Sequence, residues 1–186
     1  MSQGRVVIVS GPSGAGKTSV VKRLLDAGDL ALRMSVSVTT RPPRPGEIDG
    51  ADYHFMSAEE FQRRRDQGDF LESFEVFGRG YWYGTLKTTV DEILENGDSV
   101  LLEIDVNGMQ QVVEVYPNAI TIFIRTESLE ELERRLRARK TESDETIRAR
   151  LAVAKHEWQF KDRYQHDIVN DSLDETAEKL RRLLSD

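Results

Sequence analysis

The chain has 186 residues, of which 38% are hydrophobic and 32% charged, with a formal net charge of −7 at neutral pH. That length supports one main domain with a real core, and the composition excludes a disordered tail. It contains no run of about 18 apolar residues, which excludes a membrane-spanning helix, and its acidic balance argues against a general nucleic-acid surface.

Cysteine is absent, which removes disulfides, thiolate catalysis and cysteine metal sites and is compatible with a reducing cytoplasm. His54, His156 and His166 lie far apart without metal-binding spacing and read as surface or structural residues. The first five residues lead straight into a short apolar run, leaving no room for a signal peptide, so export is not expected.

In chain order, Arg5 to Ser10 reads as a buried strand, because Val6, Val7, Ile8 and Val9 are consecutive and stiff at χ1. A glycine-rich loop follows, and from Lys17 the apolar residues Val20, Val21, Leu24 and Leu25 take helical spacing. Residues 31 to 56 read as irregular or extended, with Pro42, Pro43 and Pro45 stiffening a turn around Arg41 and Arg44. Ser57 and Glu60 form a capping-box pattern for a helix through Arg65. Phe70 to Phe77 reads as a strand, and residues 78 to 85 as a glycine and aromatic loop or hairpin edge. Residues 37 to 88 are therefore expected to form a small inserted lobe.

Beyond it, a short helix is expected at Thr88 to Asn96, a buried strand at Ser99 to Asp105, a helix at Gly108 to Val115 and a strand at Ala119 to Ile124. An arginine-rich helix is expected at Ser128 to Arg139, another helix from Glu145 to Tyr164, a strand at Asp167 to Val169 and a closing helix at Leu173 to Leu184. Strands alternating with helices indicate a three-layer α/β domain with a largely parallel core sheet.

The run Gly11, Pro12, Ser13, Gly14, Ala15, Gly16, Lys17, Thr18 satisfies GxxxxGK[ST] between a strand and a helix. Successive amides there converge on an anion at a helix N-terminus, so the loop is expected to bind the phosphates of a nucleoside triphosphate, with Ser19 next to it. Lys17 supplies a point charge for the β and γ phosphates and is expected to be exposed; the Thr18 hydroxyl is placed for Mg²⁺. Each arginine taken alone reads equally well as ordinary solvated surface or as an anion contact. Two clusters, Arg41 with Arg44 and Arg135 to Arg139 with Arg150, instead suit an acceptor phosphate and a closing lid, the arrangement of a nucleoside monophosphate kinase.

Several separate stretches resemble guanylate kinases over essentially the whole length: GPSGAGKT at 11 to 18, SVSVTTRPPRPGEIDGADY at 35 to 53, FLESFEVFG at 70 to 78, YGT at 83 to 85, LLEIDVNG at 101 to 108, RRLRAR at 134 to 139 and IVND at 168 to 171. The resemblance implies a P-loop kinase across residues 1 to 186, with a GMP-binding lobe at 37 to 88 and a helical lid at 126 to 150. It also implies transfer from ATP to GMP with Mg²⁺; composition and charge add the expectation of a cytoplasmic location without nucleic-acid, membrane or obligate protein partners.

By matching positions, Arg41, Arg44, Tyr53 and Tyr83 would hold the GMP phosphate, while Ser37, Glu72, Thr85 and Asp105 would surround guanine. Arg135, Arg139 and Arg150 would steady the transferring group, and adenine would lie near Arg139, Asn170 and Asp171. Glu103 would hold a magnesium-bound water near Thr18. Three features depart from the family pattern. GRGYWYG is two residues longer than the family form, leaving Tyr81 as an alternative to Tyr83; Val106 and Asn107 replace Trp-Gln; and Lys140 follows Arg139 in place of glycine. A scaffold-type domain that has lost catalysis is disfavoured by the intact loop and arginines, and a kinase for another small phosphorylated acceptor is the remaining competitor.

Overall fold

The structure, a computed structural model, describes residues 4–76, 80–138 and 143–185. In chain order the elements are β1 (Val6–Ser10), α1 (Lys17–Asp26), β2 (Leu32–Met34), β3 (Val38–Thr39), β4 (His54–Phe55), α2 (Ala58–Asp66), β5 (Phe70–Val76) and β6 (Tyr81–Leu86). They continue with α3 (Lys87–Glu95), β7 (Ser99–Glu103), α4 (Val106–Val115), β8 (Ile120–Arg125), α5 (Leu129–Ala138), α6 (Asp144–Trp158), a 3₁₀ turn (Lys161–Arg163), β9 (His166–Val169) and α7 (Leu173–Ser185). The chain divides into two compact units, one built mainly from Arg33–Leu102 and Asn107–Ala119, the other from Val7–Leu32, Glu103–Val106 and Ile120–Asp186.

In the second unit β1, β8 and β9 pair in parallel, Val7 opposite Ile120 and Ile122 opposite His166. All five residues of β1 are buried, as expected of a strand covered on both faces. Helix α1 packs on α7, and α5 packs on α6 through Leu132, Leu136, Ile147 and Ala154. Ser143 caps α6 by accepting from the Thr146 amide. This is the α/β architecture with a largely parallel core sheet that the sequence indicates.

In the first unit the sheet order is β4-β3-β6-β5, with β5 and β6 antiparallel and Glu72 opposite Thr85. Its core is Val38, Phe61, Phe70 and Leu86, with Phe61 and Phe70 stacked at 4.4 Å between ring centroids. The Ser57 hydroxyl accepts from the Glu60 amide, as expected. The reciprocal half of the capping box does not form, because the Glu60 carboxylate is held by Arg63 and Arg64 one turn on.

Element boundaries also differ from the sequence reading: the strand expected to reach Asp105 ends at Glu103. Helix α4 begins at Val106, not Gly108, and Val106 is buried. The helix expected to reach Tyr164 ends at Trp158. Tyr164 instead takes an extended conformation, φ −94° and ψ 147°, and buries its ring 5.2 Å from Phe123. A continuous helix could not have turned that ring into the sheet. Among the described residues no helix is long and apolar enough to cross a membrane.

Because Phe61 is 1% exposed and stacked on Phe70, Phe61→Ala should lose about 3–5 kcal/mol of stability in urea unfolding. A loss below about 1 kcal/mol would mean that this ring is not the centre of the small core.

Candidate active site

The phosphate loop occupies a cramped place in the second unit. Gly14 has φ 100°, and a Cβ there would lie 2.9 Å from the Leu136 side chain on α5. Gly16 has φ 90°, and a Cβ there would meet the Asn170 amide nitrogen at 2.5 Å. Both positions therefore need glycine twice over, for dihedral freedom and for space. No side chain caps α1 and no acidic residue occupies its first turn, so the positive end of the helix dipole faces the loop.

Lys17 is half-buried, not exposed as the sequence reading has it. Its Nζ donates to the Gly11 carbonyl at 2.6 Å and the Pro12 carbonyl at 3.1 Å. Burial lowers its pKa, opposed by the nearby Glu103 and Glu157 carboxylates. The Thr18 hydroxyl donates to Glu103 Oε1 at 2.8 Å, which brings together the expected magnesium ligand and the carboxylate expected to hold a magnesium-bound water. Among the described residues no cluster of three His, Cys, Asp or Glu could hold a metal by itself. Hard oxygen donors of this number fit a magnesium ion that takes its remaining ligands from phosphates and water.

Asn170 is a joint between segments. Its side-chain amide donates to the Ala15 carbonyl at 2.7 Å, and its backbone carbonyl accepts from Arg135 Nη2 at 2.9 Å. Arg135 is also held by Glu131, and Arg150 reaches the Ser13 hydroxyl at 3.2 Å. Ser19 and Asp171 are exposed. Arg139, with the following Lys140, lies outside the described residues.

The first unit gathers most of the residues expected from the sequence to meet an acceptor. Arg41 is 8% exposed, donating from Nε to the Tyr83 hydroxyl at 3.1 Å, from Nη1 to the Pro42 carbonyl at 2.7 Å and from Nη2 to Glu47 at 2.8 Å. Tyr83 also meets the Tyr53 ring edge-on at 5.7 Å. This placement joins Tyr83 to Arg41 and Tyr53, whereas Tyr81 sits two residues nearer the strand start, opposite Val76. Arg44 is exposed, and Ser37 is half-buried beside β3. Glu72 is 2% exposed, and its Oε1 accepts from the Thr85 hydroxyl at 2.7 Å. Gly108 leaves room for it, since a Cβ there would lie 3.1 Å from Glu72 Oε2.

Asp105 belongs to the second unit, where it acts electrostatically on Glu157 and Tyr164. Glu157 is pushed up to about 7, chiefly by burial and further by Asp105, with Lys17 pulling the other way. Burial also raises the Tyr164 pKa. Glu47, Glu157 and Gly108 escape sequence reasoning. Only Glu47 carries a local signal, lying three residues after Arg44 in the same proline-rich turn.

A family model described as guanylate kinase matches residues 3–186. A guanylate kinase from Rhodopirellula baltica is 52% identical over 98% of this chain and 88% of its own length. One from Fusobacterium nucleatum is 46% identical over 97% of this chain and 95% of its own. The crystal structure of guanylate kinase from Anaplasma phagocytophilum superposes with a TM-score of 0.80 at 34% identity, covering 100% of this chain and 86% of that one. A phosphate loop completed by Lys17 and the Thr18–Glu103 pair, and these full-length likenesses, give one answer: the chain belongs to the guanylate kinase family.

Proposed function

We propose that the two residue sets are the donor and acceptor sides of a single transfer, assisted by magnesium. The reaction is the ATP-dependent phosphorylation of GMP to GDP, and the chain is a nucleotide-binding phosphotransferase. The observation that carries this reading is the complete phosphate loop, with its lysine folded onto the loop carbonyls and its threonine hydroxyl 2.8 Å from a carboxylate.

On the donor side, Gly11 to Ser19 would cradle the ATP phosphates, with adenine beside Arg139, Asn170 and Asp171. Thr18 would hold Mg²⁺ directly and Glu103 through water, and the ion when bound supplies charge neutralisation at the phosphate oxygens. On the acceptor side, residues 37–88 would form the GMP lobe. There Arg41, Arg44, Tyr53 and Tyr83 would grip the phosphate, and Ser37, Glu72 and Thr85, with Asp105 from outside the lobe, would read guanine. Residues 126–150 would act as a lid, bringing Arg135, Arg139 and Arg150 to the transferring group. Deoxy-GMP would be a second acceptor. The enzyme would work in the cytoplasm on free nucleotides, with no obligate partner.

An acceptor phosphate oxygen is already a nucleophile near neutral pH, so the protein supplies alignment and charge stabilisation and needs no general base. Lys17 would exchange its two carbonyl partners for phosphate oxygens, a trade that grows more favourable as negative charge builds in the transition state. Closure of the lid would exclude water and strengthen each arginine contact.

A coupled assay of ADP release against GMP, AMP, UMP and CMP tests the reaction, and turnover should be confined to GMP among the four. Equal or greater turnover with another acceptor would overturn the assignment. Lys17 yields a second expectation. Because burial lowers its pKa, folding disfavours its charged form, and the charge at pH 7 is held against stability. Lys17→Met should therefore lower kcat by at least about 100-fold while the melting temperature stays level or rises. A melting temperature lower by more than about 4 °C, or a kcat within about tenfold of wild type, would contradict this role.

A further inference from the structure

We infer that Glu47 is a positioning residue for the acceptor phosphate, holding the Arg41 guanidinium and the Arg44 backbone amide on its two carboxylate oxygens at once. The inference rests on the reading of Arg41 and Arg44 as the acceptor-phosphate grip. Glu47 Oε1 accepts from Arg41 Nη2 at 2.8 Å, and Oε2 accepts from the Arg44 amide at 2.7 Å. The turn closes behind this clamp, since the Glu47 amide donates to the Arg44 carbonyl at 3.0 Å. Gly46, at φ 91° and with nothing within 4 Å of an added Cβ, supplies the left-handed residue that lets the chain double back.

The consequence lies in the donor count of Arg41. A guanidinium carries five N–H groups in a fixed fork. The Nε–H goes to Tyr83, one Nη1 hydrogen to the Pro42 carbonyl and one Nη2 hydrogen to Glu47. That leaves one hydrogen on each terminal nitrogen for a phosphate. Tyr83, Pro42 and Glu47 thus fix which way the remaining pair points, and Glu47 alone ties that direction to the second arginine. Its carboxylate is held ionised, chiefly by the Arg41 bond and then by the Arg44 amide. An ordinary exposed ion pair would set no such geometry, but here the arginine side chain is only 9% exposed and the glutamate 18%.

Removing the clamp should damage recognition of the phosphate and leave recognition of the base intact. The test measures KM for GMP and the inhibition constant of guanosine, which lacks the phosphate, in full-length Glu47→Ala, Glu47→Gln and Arg44→Ala, with thermal melting in parallel. Glu47→Ala should raise KM for GMP at least about tenfold and change guanosine inhibition by less than about twofold. Glu47→Gln keeps one acceptor but turns an NH₂ toward the other donor, so it should fall between, with KM raised at least about threefold. If the alanine variant melts as an unfolded chain, the glutamine variant decides. Equal losses for GMP and guanosine, or a KM for GMP within about twofold of wild type, would overturn the role. Arg44→Ala separates the two levels. If it raises KM for GMP while neither Glu47 variant does, only the clamp falls; if it too leaves KM unchanged, the acceptor-phosphate reading falls and the clamp with it.

Discussion

An ionisable group taken out of water needs hydrogen bonds or an opposing charge, and this chain places three such groups at its proposed site. Lys17 is folded onto two loop carbonyls, Arg41 is divided among Tyr83, Pro42 and Glu47, and Glu72 meets the Thr85 hydroxyl. Much of the surrounding architecture serves these bonds. The β5–β6 pairing sets Glu72 opposite Thr85, and the β3–β6 pairing brings Tyr83 beside the strand that leads to Arg41. Gly108 stays small where the Glu72 carboxylate arrives.

The two units solve the problem with different means. The phosphate loop uses backbone, with glycines at positive φ and with Leu132, Leu136 and Asn170 closing the space beside Gly14 and Gly16. Small strands around a core such as Val38, Phe61, Phe70 and Leu86 supply less rigidity by bulk. The first unit relies instead on charge-assisted bonds across a proline-stiffened turn. Lys17 shows the tension most directly: its charge sits where burial opposes it, as the charge of a group proposed to meet phosphates would.

The phosphate loop, the buried strands and the alternation of strand and helix are legible in the sequence because each rests on neighbours in the chain. Val6 to Val9 announce a core strand, and GPSGAGKT announces its own geometry. What the sequence does not show is set by distant partners. Lys17 reads as exposed because nothing local says that its ammonium folds back onto Gly11 and Pro12. Glu60 reads as a capping partner because the competing Arg63 and Arg64 carry no weight in that pattern. The helix before Tyr164 ends early because its ring has a place against Phe123, a residue 41 positions away in the numbering. Tyr83 is distinguished from Tyr81 by its bond to Arg41 and its edge-on contact with Tyr53, and Glu157 acquires its raised pKa through burial and the nearby Asp105, against the pull of Lys17.

The central claim about specificity is that a buried carboxyl in the acceptor lobe accepts from the N1–H and N2 amine of guanine. Adenine turns a lone pair toward the same atoms, and a site built on such bonds rejects the wrong base by leaving its own groups unpaired. The direct measurement is the ratio of kcat/KM for GMP over AMP in Glu72→Gln, with Thr85 unchanged as the neighbouring donor. An amide at position 72 offers a donor as well as an acceptor, so the ratio should narrow by at least about tenfold, mostly through loss of GMP activity. A ratio equal to that of the wild type would contradict the claim and remove Glu72 from base recognition.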